Sequence, residues 1–331
     1  MQTPVKVSVI MLAYNIGEYI ETAIKGVLRQ KTSYPFELVI SEDKSTDDTL
    51  AICKSYKERY PEQIVLIEHE KNLGYQMNYM DGLRHSRGEY IAICDGDDYW
   101  IDRNKLQRMT DFMDLNKEFA ICFHRVINYY EENKSKSLSN GNQKVITNIT
   151  HLAKSNYITN SSSLFRHSYF KEAPEWFSEI INCDYAMHLL NAQYGNIYYF
   201  RKPMAVYRKH KKGIWSVTGE EKRLHTSLLG REKLLEYFTE NKPVYEGLLG
   251  AHAQICLALL RFYIQAGEQT KKEELEKRLL SYHPDWTIEE IRRAVIVRER
   301  TIAEKIEKGI RTILKKGRET ISYLIPLPQV K

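Results

Sequence analysis

The chain has 331 residues, of which 43% are hydrophobic and 28% are charged, and its formal net charge is +6. This composition is ordinary for a soluble globular protein, and the length suits one large domain with a smaller appendage. The charge is modest and lies mostly near the C-terminus, which argues against a nucleic-acid partner bound on a broad basic face. The five cysteines are scattered without a CxxC pair, and the first residues lead into a strand rather than a signal peptide. We therefore expect a cytoplasmic protein with reduced cysteines.

Four apolar stretches in the first hundred residues have the length and composition of buried strands. They are residues 5–12, 36–40, 64–67 and 90–94. Stretches with apolar residues at helical spacing separate them, the last at residues 75–86. Strands that alternate with helices indicate βαβ units, and hence an α/β fold with a mostly parallel, Rossmann-like sheet flanked by helices.

Polar residues follow three of these strands at the point where each strand ends. They are Tyr14 and Asn15, Glu42 and Asp43, and Asp95, Asp97 and Asp98. In an open α/β sheet, ligands bind in the crevice beyond the carboxyl ends of the strands. Three like charges within four residues are costly to bury alone, and a hard divalent cation such as Mg²⁺ or Mn²⁺ would remove that cost. A solvated acidic turn is the alternative that these residues by themselves leave open.

Two further patterns concern the loops after the first and second strands. No GxGxxG or GxxxxGK[ST] motif follows the first strand, so neither the dinucleotide fingerprint nor the P-loop is present. After the second strand, Ser45 and Asp48 have the spacing of a capping box, which predicts a helix that begins there and runs to residue 60.

The order and spacing of four motifs resemble the family 2 glycosyltransferases, whose fold is called GT-A. The motifs are residues 7–15, 41–49, 72–74 and 87–98, and the resemblance extends to residue 215. A helical C-terminal extension follows. We therefore predict a nucleotide-sugar-binding and catalytic domain over residues 1–217 and a helical region over residues 218–331.

The resemblance implies roles for residues at the ends of the first two strands. By this likeness Asp43 contacts the nucleotide base of the donor, and Leu12, Ala13 and Tyr14 line the base pocket. The family usually has Asp-Asp-Gly where this chain has Glu-Asp-Lys, so Lys44 departs from the pattern. Lys44 either alters the base or sugar preference or is an exposed lysine ahead of a helix.

The resemblance also implies which residues act on the diphosphate and on the acceptor. By this likeness Asp95 lies near the ribose and Asp97 binds the metal on the diphosphate. His210 approaches the metal and the diphosphate. Asp184 precedes a helical pattern and matches the family's catalytic base, although Cys183 replaces the acid that usually stands before it. From position alone, Asp184 is a helix N-cap.

These likenesses imply an inverting, metal-dependent glycosyltransferase with Mg²⁺ or Mn²⁺ as its cofactor. It would move a sugar from a nucleotide-diphosphate sugar to a hydroxyl of a glycan or lipid-linked acceptor in surface polysaccharide synthesis. Two alternatives remain. A nucleotidyltransferase would need a glycine-rich, basic loop after the first strand, and residues 13–15 do not form one. A non-catalytic nucleotide-sugar binding module would not need both an ion-binding acid pair and a separate base.

The C-terminal region contains helical patterns of two kinds. Residues 247–264 are apolar but include His252, Gln254 and Arg261, so they indicate a buried helix rather than a membrane span. From residue 298 onward, apolar residues lie on one helical face and are flanked by lysines and arginines. Such a helix suits peripheral contact with the inner face of an anionic membrane, packing against the protein's own core, or a second subunit in a homo-oligomer.

Overall fold

The computed structural model of the chain describes residues 4–139, 141–169, 174–180, 183–213 and 218–296. Every residue predicted to take part in catalysis or binding falls within these ranges. The basic amphipathic stretch that begins at residue 298 lies outside the described residues, and the predicted contacts of that stretch stay predictions.

A central sheet contains ten strands among the described residues. They are β1 (Val7–Ala13), β2 (Phe36–Glu42), β3 (Ile64–Glu68), β4 (Tyr90–Ile93), β5 (Tyr99–Trp100), β6 (Phe119–Tyr130), β7 (Ser135–Leu138), β8 (Ile146–Thr147), β9 (Leu164–Arg166) and β10 (Asn196–Lys209). The main order across the sheet is β3-β2-β1-β4-β9-β6-β10-β5, with β7 on β6 and β8 on β10.

Helices connect and flank these strands. They are α1 (Gly17–Leu28), α2 (Thr49–Arg59), α3 (Tyr75–Arg84), α4 (Lys105–Leu115), α5 (Ile149–Lys154), α6 (Cys183–Ala192), α7 (Glu220–Tyr237), α8 (Lys242–Ala266) and α9 (Gln269–Tyr282). A further helix begins at residue 288 and is described to residue 296.

Buried side chains of β1 point alternately to the two faces of the sheet, and helices cover both faces. Val9 and Met11 belong to a buried apolar cluster with residues of α1, α2 and α4. Ile10 points to the opposite face, where its side chain lies against Gly82 of α3. Successive residues of a strand point to opposite faces, so a strand covered on both sides reads as a continuous apolar run. This is why β1, β2 and β4 could be recognised in the sequence.

The predicted α/β fold with a sheet flanked by helices is confirmed, and the sheet, which was predicted to be mostly parallel, contains both parallel and antiparallel pairs. The strands β3, β2, β1 and β4 are parallel to one another. Strand β9 then runs antiparallel to both β4 and β6. Beyond it, β6 and β10 are parallel to each other. With only three residues, β9 is too short to produce a recognisable period in the sequence.

The described chain divides into two compact units after His252. This division lies later than the boundary at residue 217 that the helical pattern predicted. The reason is that α7 packs with the first unit: Lys233 pairs with Glu179 at 2.9 Å, and Arg231 lies over the ring of Tyr185. The second unit, from residue 253, contains the end of α8, α9 and the helix that begins at residue 288.

Among the described residues, α8 is one helix whose length and composition would allow it to cross a membrane. More than half of its most apolar window (56%) is buried inside the structure. Core helices of soluble proteins have the same properties, so this helix is weak support for a membrane span.

Candidate active site

The loop between β4 and β5 carries the three acids of the Asp-Gly-Asp-Asp motif to the carboxyl edge of the sheet. Because β1, β2 and β4 are parallel, their carboxyl ends meet at this edge. The Gly96 amide donates to the Leu12 carbonyl at 3.2 Å. A Cβ on Gly96 would lie 2.4 Å from the Ile16 side chain and 2.7 Å from the Leu12 carbonyl oxygen. Glycine is therefore required here for the acidic loop to approach β1 and α1 so closely.

Asp95 is held by the short 3-10 helix of residues 160–162. The Asn160 amide donates to both Asp95 carboxylate oxygens, at 3.1 and 3.3 Å, and the Ser161 hydroxyl donates to one of them at 3.3 Å. Burial raises the pKa of Asp95 to about 7, and the charges of Asp97 and Asp184 add to this effect. The hydrogen bonds from Asn160 and Ser161 oppose it because they favour the carboxylate.

Asp98 closes the loop and is 1% exposed. Its carboxylate accepts hydrogen bonds from the Arg208 amide at 2.8 Å and from the Ser161 hydroxyl. Burial, followed by the charges of Asp97 and Asp95, raises the pKa of Asp98 well above its ordinary value. Asp98 therefore joins three segments of the chain and is not available to bind a ligand.

Asp97 faces His210, which lies at the end of β10. The Nε2 atom of His210 is 3.0 Å from Oδ2 of Asp97. The imidazole is 5% exposed and packs against the ring of Tyr19, with centroids 4.5 Å apart. The other ring nitrogen, Nδ1, is enclosed without a hydrogen-bond partner among the described residues. The structure thus brings together the two residues that the resemblance assigned to the metal.

The Asp97–His210 pair fits a divalent cation. The two atoms lie 3.0 Å apart, at hydrogen-bond distance, so one small cation could contact the carboxylate oxygen and the imidazole nitrogen together. Within the described ranges, no group of three or more His, Cys, Asp or Glu side chains forms a metal cage. Two protein donors suit Mg²⁺ or Mn²⁺, which take their remaining ligands from water and substrate phosphates.

Asp43 lies at the end of β2 and is 2% exposed. Its two carboxylate oxygens accept from the backbone amides of Leu73 and Gly74, at 2.7 and 3.0 Å. Glu42 similarly accepts from the Ser45 amide at 2.7 Å. Asp43 therefore shapes the loop before α3, and any contact with a nucleotide base would use the remaining lone pairs of the same oxygens.

The three residues predicted to line the base pocket differ in exposure. The Leu12 and Ala13 side chains are buried in the core, at 7% and 0%, whereas Tyr14 is 48% exposed. The carbonyl of Ala13 accepts from the Asp43 amide at 2.9 Å. Of these three side chains, Tyr14 is the one free to pack against a ligand.

The loop after β2 is bound to the loop after β1, which overturns the predicted capping box. The Asn15 amide donates to the Ser45 hydroxyl at 3.0 Å, and the Thr46 amide donates to the Asn15 side chain at 2.7 Å. Helix α2 begins later, at Thr49, and its N-cap residue Asp48 makes no side-chain capping bond. Ser45 is therefore used to join two loops rather than to start a helix.

Lys44 has a left-handed backbone, with φ of 61°, and its side chain is exposed. A residue with a Cβ loses about 1–2 kcal/mol in this conformation, which glycine adopts freely. We expect Lys44→Gly to raise the free energy of unfolding by about 0.5–1 kcal/mol, because glycine also adds entropy to the unfolded chain. Denaturant unfolding measures this change, and Lys134→Gly, at another left-handed position with φ of 54°, is the matched comparison.

A lower free energy of unfolding for Lys44→Gly would contradict this explanation of the position. The same variant separates the two interpretations of Lys44. An unchanged preference among nucleotide sugars supports the exposed lysine, and a changed preference supports a role in donor selection.

Asp184 lies in the first turn of α6, which begins at Cys183. Asp184 is therefore within the helix and is not its N-cap. One oxygen of its carboxylate is 3.5 Å from the Asn156 amide, which donates to it. Burial raises the pKa of Asp184, while hydrogen bonds from the Tyr185 backbone and Asn156 and the charge of Arg231 oppose the rise. The charge of Asp184 raises the pKa of Asp95, so the two carboxylates lie near each other.

Three residues of this site were not identified as such from the sequence. Asn160 and Ser161 hold the Asp95 carboxylate. Arg208 lies near the end of β10, and its Nε donates to the Asp97 carbonyl at 2.9 Å. No local pattern reveals these contacts, because the partners are separated by 65, 66 and 111 residues.

A cleft of about 610 Å³ opens beside His210. Its lining includes Tyr19 and Tyr130 together with acids and lysines that pair with each other, such as Lys212 with Glu18 at 2.6 Å. This volume is within the range of small-molecule sites. The cleft is adjacent to the Asp97–His210 pair and is polar enough for a charged ligand.

Comparison with known proteins agrees with this geometry. The sequence model "Glycosyl transferase family 2" matches residues 8–173, which is half of the chain. The chain is 34% identical over 218 residues to the protein Rv1520 of Mycobacterium tuberculosis (strain ATCC 25618 / H37Rv), a match that covers 65% of this chain and 62% of that protein. It is 33% identical over 126 residues to the UDP-Glc:alpha-D-GlcNAc-diphosphoundecaprenol beta-1,3-glucosyltransferase WfaP of Escherichia coli, covering 38% of this chain and 47% of that one.

Solved structures agree on the fold. The structure of S. aureus TarS 1–349 in complex with UDP-GlcNAc superposes with a TM-score of 0.52 at 18% identity, covering 86% of this chain and 93% of that chain. The mannosyltransferase PcManGT from Pyrobaculum calidifontis, in complex with GDP-Man and Mn²⁺, superposes with a TM-score of 0.56 at 17% identity, covering 90% and 87%. The mixed α/β sheet has an acid-lined edge, and the family model spans half of the sequence. This chain therefore belongs to glycosyl transferase family 2.

Proposed function

We propose that this protein is a glycosyltransferase that moves a sugar, with inversion, from a nucleotide-diphosphate sugar to a hydroxyl acceptor. The observation that carries the proposal is the Asp97–His210 pair, with 3.0 Å between its donor atoms, beside Asp95 in a chain of family 2. Asp184 lies near Asp95, whose pKa its charge raises, and it is the group that would accept a proton. The chain spans 62% of the Rv1520 protein that it matches, so the activity of the whole protein is part of the proposal.

The donor would enter with its base against Tyr14 and the loop that Asp43 supports, and with its ribose near Asp95. Proteins of the same fold bind UDP-GlcNAc and GDP-Man, which supports a nucleotide-sugar donor. Asp43 is held by two backbone amides, so its carboxylate is oriented before any ligand arrives. Such preorganisation reduces the entropy that binding would otherwise cost.

The diphosphate would lie against Asp97 and His210, which would hold Mg²⁺ or Mn²⁺. A bound cation at this point stabilises the negative charge that develops on the departing diphosphate. Asn160 and Ser161 orient Asp95, and Arg208 holds the backbone of Asp97, so the acidic loop keeps its shape. A site on rigid elements positions substrate more accurately than one on a free loop.

Asp184 would accept the proton of the acceptor hydroxyl as its oxygen attacks the anomeric carbon. The bond to the diphosphate oxygen breaks on the opposite face, so a single displacement inverts the configuration without a covalent enzyme intermediate. The Asn156 amide donates to one carboxylate oxygen, which leaves the other oxygen able to receive the proton.

The acceptor would be a glycan or a lipid-linked sugar in surface polysaccharide synthesis. This part of the proposal is supported by the E. coli relative, a glucosyltransferase whose acceptor is a diphosphoundecaprenol-linked sugar. A lipid-linked acceptor would also suit a cytoplasmic protein at the inner face of the membrane.

The test is a thermal-shift panel of nucleotide sugars with Mn²⁺ and with EDTA. A ligand that binds only the folded protein stabilises it by about 2.7 kcal/mol when the ligand concentration is a hundred times Kd. A true donor therefore raises Tm, and the test does not require the acceptor to be known. We expect one nucleotide sugar to stabilise the protein with Mn²⁺ and to do so much less with EDTA. If no nucleotide sugar raises Tm under either condition, the proposal fails.

A further inference from the structure

A buried arginine on α7 lies next to the first turn of α6. Arg231 is 8% exposed, and its Nε is enclosed without a hydrogen-bond partner among the described residues. Burial of a charge is costly unless another charge or a hydrogen bond compensates it. The residue lies outside the part of the chain that matches the family model, which ends at residue 173.

The guanidinium of Arg231 stacks on the ring of Tyr185. Its central carbon lies 3.7 Å from the ring centroid, which is a close cation–π contact. The Tyr185 hydroxyl donates to the carbonyls of Leu152 and Ala153 at 3.0 Å, so the ring itself is fixed. Tyr185 follows Asp184 directly, and the stack therefore fixes the turn that presents the candidate base.

Groups of several elements surround the Asp184 carboxylate. The charge of Asp184 raises the pKa of Tyr75 and Tyr79 of α3, Asp95 of the acidic loop, Cys183 of α6 and Tyr207 of β10, and the charge of Arg231 of α7 lowers the pKa of Asp184. Among these groups, Arg231 carries positive charge. Asp95 acts in the opposite direction, because two carboxylates near each other repel.

We propose that Arg231 is a positioning residue for Asp184: stacked on Tyr185, it fixes the first turn of α6 and supplies the positive charge that stabilises the Asp184 carboxylate. The proposal rests on the proposed function, because Asp184 is the base only if the protein transfers a sugar. It also gives the helix α7 an indirect part in the reaction, through Asp184, although that helix follows the segment that matches the family model.

The test compares Arg231→Met with Arg231→Lys, and Lys233→Met is the control on the same helix. Methionine keeps an unbranched side chain of similar length without charge. Because removal of one of two interacting buried charges destabilises a protein, the Tm of each variant is measured as well. Lysine keeps the charge but loses the planar stack. Lys233 pairs with Glu179 at 2.9 Å, so its removal also takes one positive charge from α7.

The first measurement is the pH profile of kcat/KM for hydrolysis of the donor with water as acceptor. A base works only when ionised, so activity falls as the pH drops through its pKa. Loss of an opposite charge raises a carboxyl pKa, so we expect the acid limb of Arg231→Met to move up by about one pH unit. In Arg231→Lys the acid limb of the kcat/KM profile should stay near that of wild type. In Lys233→Met the acid limb should not move. A purely structural role would lower Tm in Arg231→Met and leave the limb in place.

The second measurement is independent of turnover. The second measurement follows the ¹³C resonance of the Asp184 carboxyl group by NMR as the pH changes, in metal-free protein labelled with ¹³C-aspartate. The resonance is assigned to Asp184 because it is missing from the spectrum of Asp184→Asn. An unchanged midpoint in Arg231→Met overturns the proposal even if the protein has no transferase activity. The midpoint could rise in Arg231→Met while the Asp184→Asn variant retains full turnover. Asp184 would then not be the base, and Arg231 would have no part in the reaction. A raised midpoint together with a shifted acid limb supports both.

Discussion

Replacing Asp184 by asparagine is expected to lower kcat by about 10²–10⁴-fold, the contribution of a positioned general base. The substitution keeps the size of the side chain and an oxygen that can accept from Asn156, which lies 3.5 Å away. It removes the oxygen that receives the proton. The acceptor oxygen is a poor nucleophile until its proton begins to leave, so the loss should appear in kcat, with donor affinity little changed.

Stability should change little in the same variant, because two effects oppose each other. A carboxylate in the first turn of a helix is stabilised by about 0.3–1 kcal/mol through the helix dipole, and asparagine loses this. Burial disfavours the charged form of Asp184 and raises its pKa, so the neutral amide avoids a desolvation cost. The Tm of Asp184→Asn should therefore stay close to that of wild type.

The measurement is release of nucleoside diphosphate from the donor found in the thermal-shift panel, with water as acceptor and saturating Mn²⁺. Glu220→Gln is the matched control, since Glu220 is an exposed acid in the first turn of α7. We expect it to leave kcat unchanged. An Asp184→Asn variant with more than about a tenth of wild-type kcat would contradict the assignment, because a general base contributes at least that much. Donor binding without turnover in the wild type would instead indicate a binding module.

Replacing Asp97 by alanine is expected to abolish Mn²⁺-dependent donor binding. The substitution removes one of the two donor atoms that lie 3.0 Å apart and leaves His210 alone to hold a cation. At a donor concentration of a hundred times the wild-type Kd, the stabilisation of about 2.7 kcal/mol expected for wild type should fall close to zero in the variant. With EDTA, wild type and variant should respond alike, since neither then holds a metal.

The fold should survive the loss of the Asp97 side chain. Arg208 donates to the backbone carbonyl of Asp97, and that bond does not need the carboxylate. Removal leaves Nε2 of His210 without its partner, which costs about 1–3 kcal/mol. It also removes a negative charge that raises the pKa of Asp95 and Asp98, and this partly offsets the cost.

Thermal shift at several donor concentrations, with Mn²⁺ present, checks the loss of binding. Asp111→Ala is the control, because Asp111 is an exposed acid on α4 that bonds Gln107. A donor affinity in Asp97→Ala equal to that of wild type, measured with Mn²⁺, would show that the metal assignment is wrong.

The buried strands of the first half could be predicted from the sequence because they are covered on both faces. The predicted stretch 36–40 corresponds to β2 (Phe36–Glu42), and 90–94 corresponds to β4 (Tyr90–Ile93). Continuous apolar runs of this length mark such strands without any knowledge of the neighbours. The convergence of the acids at one edge followed from parallel pairing alone.

The sequence by itself therefore determined the α/β fold, the edge at which the acids meet and the motifs that mark the family. The tertiary structure decided which partners those acids have. Asn160, Ser161 and Arg208 reach the acidic loop from segments far along the chain, Ser45 bonds Asn15 instead of capping α2, and β9 inserts antiparallel. Arg231 packs against α6 from a helix beyond the matched region. Strand burial is a local property that side-chain periodicity records, whereas these contacts depend on how distant segments pack, which no local pattern encodes.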